Sequence, residues 1–142
     1  NFTFRQMAKE RNIDFWDFCA LANKDDNIDK ELDRRQVEMA MDTENCVLGS
    51  RLAIWMLKDA YFKVYLQASD IERARRIVSR EGGTIQERLA QTQDRDAHDT
   101  ERYKRIYGID NNDASKADLV IDTENKSPEQ IVELIINTIQ NK

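Results

Sequence analysis

Apolar residues recur three and four positions apart through much of this chain. From Phe2 to Asn12 the apolar positions are Phe4, Met7 and Ala8. From Asp14 to Asn23 they are Phe15, Phe18, Cys19 and Ala22, so each segment predicts a helix. Asp25-Asp26-Asn27 reads as a loop and helix start, followed by a third helix from Ile28 to about Met41 through Leu32, Met39 and Ala40, with Gln36 a polar exception. After the connector Asp42–Asn45, Cys46-Val47-Leu48 predicts a short buried strand ending at Gly49-Ser50-Arg51. Leu52 to Leu57 then reads as a helix. Lys63–Ala68 predicts a second strand. Ser69-Asp70-Ile71-Glu72 has the form of a capping box opening a helix to about Arg80. Gly82-Gly83 breaks that helix, and Thr84-Ile85-Gln86-Glu87 caps a long polar helix to about Tyr107, with Gly108 as its C-cap. Ala117–Thr123 predicts the third strand. Ser127 with Pro128 opens a last helix carrying Ile131, Leu134, Ile135 and Ile139 on one face.

Short, nearly all-apolar strands separated by helices predict an α/β fold with a parallel sheet covered on both faces. Three strands are few for such a sheet, and the chain opens Asn1-Phe2-Thr3 without a Met. The expectation is therefore a single domain over 1–142 that lacks an N-terminal βα unit.

Composition narrows the function classes. With 22 basic and 27 acidic residues the net charge is −5, which argues against a nucleic-acid coat or a membrane-surface binder. Cys19 and Cys46 sit in apolar stretches without a Cys-x-x-Cys spacing, so the expectation is two reduced, buried thiols in a cytoplasmic protein. No apolar run approaches the roughly 18 residues of a membrane span. Trp16, Trp55 and the Phe15/Phe18 pair are expected in the core.

The acidic average hides a cationic cluster, because eight of the 13 arginines lie between Arg73 and Arg105. Arg95, Asp99 and Arg102 fall at i, i+4 and i+7, on one helical face. Two guanidinium groups with a carboxylate between them can clamp a phosphate; a solvated helix laced with ion pairs has the same spacing. Arg51 follows a predicted strand end, where ligands bind in open α/β sheets, or it caps its own helix. Asp29 and Asp33, with Arg34, lie near one helical face and can bind the amino group of a base or simply solvate the helix. His98 is the sole histidine and has no cysteine near it, so a metal role is not indicated. No Gly-x-x-x-x-Gly-Lys-Ser/Thr occurs.

Four stretches together resemble the cytidylate kinases, in particular the compact archaeal-type branch. They are Phe4–Ala8, Ile28–Gln36, Val47–Met56 (Val-Leu-Gly-Ser-Arg-Leu-Ala-Ile-Trp-Met) and Arg95–Asp110, the last ending Arg-Tyr-Lys-Arg-Ile-Tyr-Gly-Ile-Asp. The resemblance covers essentially the whole chain. It implies a P-loop kinase-like parallel sheet flanked by helices, a nucleoside-monophosphate-binding helical insertion over about 1–45 and a mobile helical lid over about 80–107. It implies transfer of the ATP γ-phosphoryl group to CMP or dCMP with Mg²⁺, in a cytoplasmic monomer that binds neither nucleic acid nor membrane. By this resemblance Arg5 grips the acceptor phosphate and Arg51 faces the acceptor nucleotide. Arg95 and Arg102 face phosphate, Asp99 assists the acceptor site, and Arg80 is a candidate for the ATP phosphates. Such arginines, meeting on lid closure, would complete a site that works by positioning and charge neutralisation.

Two departures stand out. Leu52 follows Arg51 where the bacterial branch has an aspartate, so Asp29 and Asp33 are nominated for reading cytosine. The family's P-loop would lie before Asn1; without that first strand and loop the 142 residues are expected to be inactive alone. Two rivals remain: a related P-loop kinase with another small acceptor, and a non-catalytic module whose arginine-rich helical hairpin binds RNA or a protein.

Overall fold

The computed structural model describes residues 3–142 and is mixed α/β, with seven α-helices and a two-stranded parallel sheet among those residues. It divides into two compact units, Asn1–Lys58 and Asp59–Lys142.

The first unit is helical. Helix α1 (Phe4–Glu10) starts at a reciprocal cap, in which Thr3 Oγ1 accepts from the Gln6 N–H and Gln6 Oε1 accepts from the Thr3 N–H. The predicted start at Phe2 lies outside the described residues. Asp14 caps α2 (Phe15–Ala22), and Asp25 caps α3 (Asp26–Met41). The helical spacing turns Met7, Ala8, Phe18, Ala22 and Ile28 into one buried cluster, with Phe4, Ile13 and Leu32 packed against it. Phe4 meets Phe18 edge-on at 5.9 Å. Polar contacts add orientation: Arg35 forks onto Glu10 at 2.7 and 2.9 Å, and Arg11 pairs with Glu31.

Three expectations are corrected in this unit. Cys46–Leu48 is not a strand, and Val47 is 96% exposed. A strand is a pairing rather than a local conformation, and no other strand exists among the described residues of this unit. Cys46 is exposed, its thiol donating to the Ala40 carbonyl at 3.6 Å, while Cys19 is only half-buried. Trp16 is 74% exposed, because its neighbour Phe18 takes the inward position of α2. The predicted helix at Leu52–Leu57 is the single turn α4 (Ala53–Met56), anchored by buried Leu52 and Ile54.

The second unit is built on strands β1 (Val64–Gln67) and β2 (Leu119–Asp122), which pair in parallel with Val64 opposite Leu119 and Gln67 opposite Asp122. Between them run α5 (Asp70–Glu81), capped by Ser69, and α6 (Ile85–Tyr107), capped by Thr84. The break between these helices uses Gly82 and Gly83 at φ +81° and +87°, and Gly108 closes α6 at φ +66°, a left-handed conformation that glycine adopts without strain. The strand ends are tied to α5: Thr123 Oγ1 donates to the Gln67 carbonyl at 2.9 Å, Arg76 donates to the Thr123 carbonyl at 2.9 Å, and the Ser69 N–H donates to Glu124 Oε1 at 2.9 Å. Helix α7 (Pro128–Gln140) follows, with Ile131, Ile135 and Ile139 half-buried and Leu134 exposed.

Phe18→Ala in the full-length protein should cost about 3–5 kcal/mol of unfolding free energy in urea titrations, since it empties a fully buried ring site. Trp16→Ala should cost under about 0.5 kcal/mol. Equal losses would contradict the inward and outward assignment of α2. Hydrogen bonding by Ser69, from its side chain first and its N–H second, holds the Glu124 carboxyl below its ordinary value of 4.5. That contribution is present above pH 4.5 and is lost as pH falls through the lower folded value. Glu124→Gln should therefore flatten the acid side of the stability profile; an unchanged acid limb would show that the contact is absent in solution.

Candidate phosphate-binding residues and the family of the chain

Helix α6 is long and polar, yet one stripe of it is inward. Thr92, Asp99 and Tyr103 are buried and Asp96 is half-buried, at spacings of four, three and four. Asp99 is 6% exposed, and its Oδ1 accepts from Arg102 Nη2 at 3.0 Å. The Arg102 guanidinium also lies 5.4 Å from the Tyr103 ring centroid. Asp99 and Arg102, paired by spacing in the sequence, are thus brought together, with a buried carboxylate orienting a partly exposed cation. Arg95, one turn before Asp99, is exposed and forms no ion pair among the described residues. Arg80, at the end of α5, is exposed with Nε 3.5 Å from Glu81 Oε1.

The other sequence-predicted residues belong to the first unit. Arg5 is exposed on α1 and its guanidinium stacks over the Phe15 ring at 4.0 Å, which holds it extended along the surface. Asp29 is 5% exposed in the first turn of α3, where the helix N-terminus favours a negative charge. Asp33, one turn later, is half-buried and lines a shallow groove with Gln36, Val37, Leu48, Ser50 and Leu52. Arg51 is exposed in the loop before α4, between groove residues Ser50 and Leu52. Asp33 and the Arg51 loop are therefore neighbours, whereas Asp29 is turned inward.

Gln36 is a groove residue that helical periodicity registered only as a polar exception. Arg73 is the other residue that spacing did not single out. It pairs with Asp70 on its own helix and with Asp96 on α6, and its guanidinium is held well above its ordinary value by Asp96 first and Asp70 second. Charge pattern on one helix carried no sign of a partner on the next. Among the described residues no group of three or more His, Cys, Asp or Glu side chains is arranged to hold a metal ion. For a nucleoside triphosphate, the exposed guanidinium of Arg80 is suited to phosphate oxygens. No helix among the described residues is long and apolar enough to cross a membrane.

The sequence is similar to those of known proteins. The family model described as the cytidylate kinase-like family matches residues 2–125. A cytidylate kinase of Pyrococcus abyssi is 43% identical over 132 residues, 93% of this chain and 72% of the relative. One of Pyrococcus furiosus is 42% identical over the same length, covering 68% of that relative. A protein of Borrelia garinii named cytidylate kinase 2 is 43% identical over 146 aligned positions, 100% of this chain and 82% of the relative. The matched span includes Arg5, Asp29, Asp33, Arg51, Arg80, Arg95, Asp99 and Arg102. With the family model spanning most of its length and relatives above 40% identity, this chain belongs to the cytidylate kinase-like family.

Proposed function

We propose that this protein phosphorylates CMP or dCMP to the diphosphate, with ATP as the phosphoryl donor. The observation that carries the reading is the Asp99–Arg102 pair on α6, its carboxylate buried and its guanidinium partly exposed, with Arg95 one turn before it, in a chain whose relatives are named cytidylate kinases. Phosphoryl transfer asks little covalent chemistry of a protein. It asks for positioning and for cations where charge accumulates on the transferring group. A guanidinium tethered to a buried carboxylate meets that demand, because its orientation is set before the substrate arrives.

In this reading Arg95 and Arg102 neutralise the transferring phosphate and Asp99 aims Arg102. Arg5 and Arg51 hold the acceptor phosphate, and Arg80 meets the phosphates of ATP. Asp33 accepts the exocyclic amino hydrogens of cytosine; uracil offers a carbonyl at that position, which a carboxylate repels. Gln36, lining the same groove, can donate to the ring nitrogen or carbonyl of cytosine. Asp29, the other residue nominated for cytosine, is buried in the first turn of α3, one turn before Asp33. Mg²⁺ would enter with the triphosphate. The net charge of −5 supports a small-molecule substrate over a polyanion or an anionic membrane, and the reading is of a monomeric cytoplasmic enzyme.

Incubating the full-length protein with ATP, Mg²⁺ and CMP, dCMP, UMP or AMP tests the proposal by nucleotide chromatography. CDP and dCDP are the expected products; no diphosphate, or preference for another acceptor, overturns it. Arg51→Ala and Arg102→Ala should each lower kcat/KM by about 2–4 kcal/mol in transition-state terms, with thermal midpoints near the parent's. Near-parental kinetics in both variants would remove the phosphate-clamp assignment.

The segment from Arg80 to Tyr107 is proposed as the lid. It is entered through two positive-φ glycines and left through a third, and few apolar side chains fasten it. Amides of residues 85–107 should gain protection from hydrogen exchange when CMP and a non-hydrolysable ATP analogue are both present. Equal protection with and without nucleotides would contradict a lid.

A further inference from the structure

The arginines of α5 and α6 are not one population. Arg73 sits one turn into α5 and reaches across to α6. Its Nη1 donates to Asp96 Oδ1 at 3.1 Å, and its Nη2 donates both to Asp96 Oδ2 and to Asp70 Oδ1, the latter at 2.7 Å. Gln93 Nε2 donates to the other Asp70 oxygen at 3.4 Å. Two side chains from each helix therefore form one network. Beside it, Ala74 is fully buried, which lets the helices approach closely. A guanidinium shared by two carboxylates is neutralised where it stands, so Arg73 is spoken for by the fold rather than offered to a phosphate.

The position of Asp96 gives this network its consequence. It lies immediately after Arg95 and one turn before Asp99, the carboxylate that aims Arg102. A planar fork on a carboxylate is satisfied in a narrow range of orientations. A slip of one residue turns an α-helix by about 100°, so a bidentate bond at Asp96 sets which way Arg95 and Arg102 face. Half-buried Leu89, buried Tyr103 and half-buried Ile106 hold the two ends of this stripe by packing, and at its middle the directional contact to α5 is the fork of Arg73 on Asp96. We infer that Arg73 is a positioning residue for phosphoryl transfer, locking the rotation and register of α6 through Asp96 and thereby aiming Arg95 and Arg102. This inference rests on the kinase reading proposed above.

The test is a mutant cycle in the full-length protein, at a temperature where circular dichroism shows every variant folded. Arg73→Ala and Asp96→Ala should each lower kcat about tenfold or more, since small misplacements of catalytic groups are costly, while KM for CMP and ATP moves less than about threefold. The double variant should be no slower than either single one, because both remove one interaction. Arg73→Lys should stay slow, as a point charge cannot span both oxygens of Asp96. Should Arg73→Ala fail to fold, Asp96→Asn, of the same shape, carries the same expectation for kcat. Multiplying defects in the double variant, parental kcat in the single ones, rescue by lysine, or a rise in KM alone would overturn the inference. If the unsubstituted protein forms no CDP, the functional reading fails and takes this inference with it. If it forms CDP and the variants behave otherwise, the inference fails alone.

Discussion

Parallel strands cannot be joined by a tight turn. The chain that leaves the carboxyl end of one must travel back to the amino end of the other before it can pair. The pairing of β1 with β2 imposes that journey on the second unit, and α5 and α6 are how it is made. The root of the excursion is fixed at the carboxyl ends of the two strands, where Ser69 and Arg76 at its start bond to Glu124 and Thr123 just beyond β2, and Thr123 bonds to the Gln67 carbonyl. Everything proposed for α6 depends on that root, because a helix whose base is anchored can carry side chains to a reproducible point.

The body of the excursion is held differently from its root. Ala74 and Tyr103 are its buried hydrophobic residues, Ile77, Val78, Leu89 and Ile106 are half-buried, and ion pairs between the helices add to this packing. Half-exposed ion pairs contribute little to stability, typically under about 1 kcal/mol. What they supply is direction, since a fork and a carboxylate fit together in few ways. A segment with weak apolar anchorage and well-defined polar contacts can open at small cost and return to one arrangement, as a lid must.

The first unit shows the opposite balance. Its core is aromatic and aliphatic, with Phe18 and Met7 fully enclosed and Phe4 edge-on to the former. Its charged residues decorate that core. The exception is Asp29, buried in the first turn of α3, where the helix dipole and orphan amides offset part of the desolvation. The same unit carries the shallow groove lined by Asp33, Gln36 and Ser50, with Arg51 next to it in sequence.

Much of this was legible in the sequence because it is local. Helix starts at Ser69, Thr84 and Ser127, the left-handed stop at Gly108 and the two strands that do pair all follow from residues within a few positions of one another. The Asp99–Arg102 pair was legible for the same reason, being three residues apart on one helix. The failures were non-local. Cys46–Leu48 has the composition of a strand, but an apolar run becomes a strand only where a partner offers its backbone. Trp16 reads as core until Phe18 occupies the space. Arg73 reads as one more surface cation until Asp96 arrives 23 residues later on another helix. Periodicity says which face of a helix is polar; only packing says which polar groups on two such faces meet.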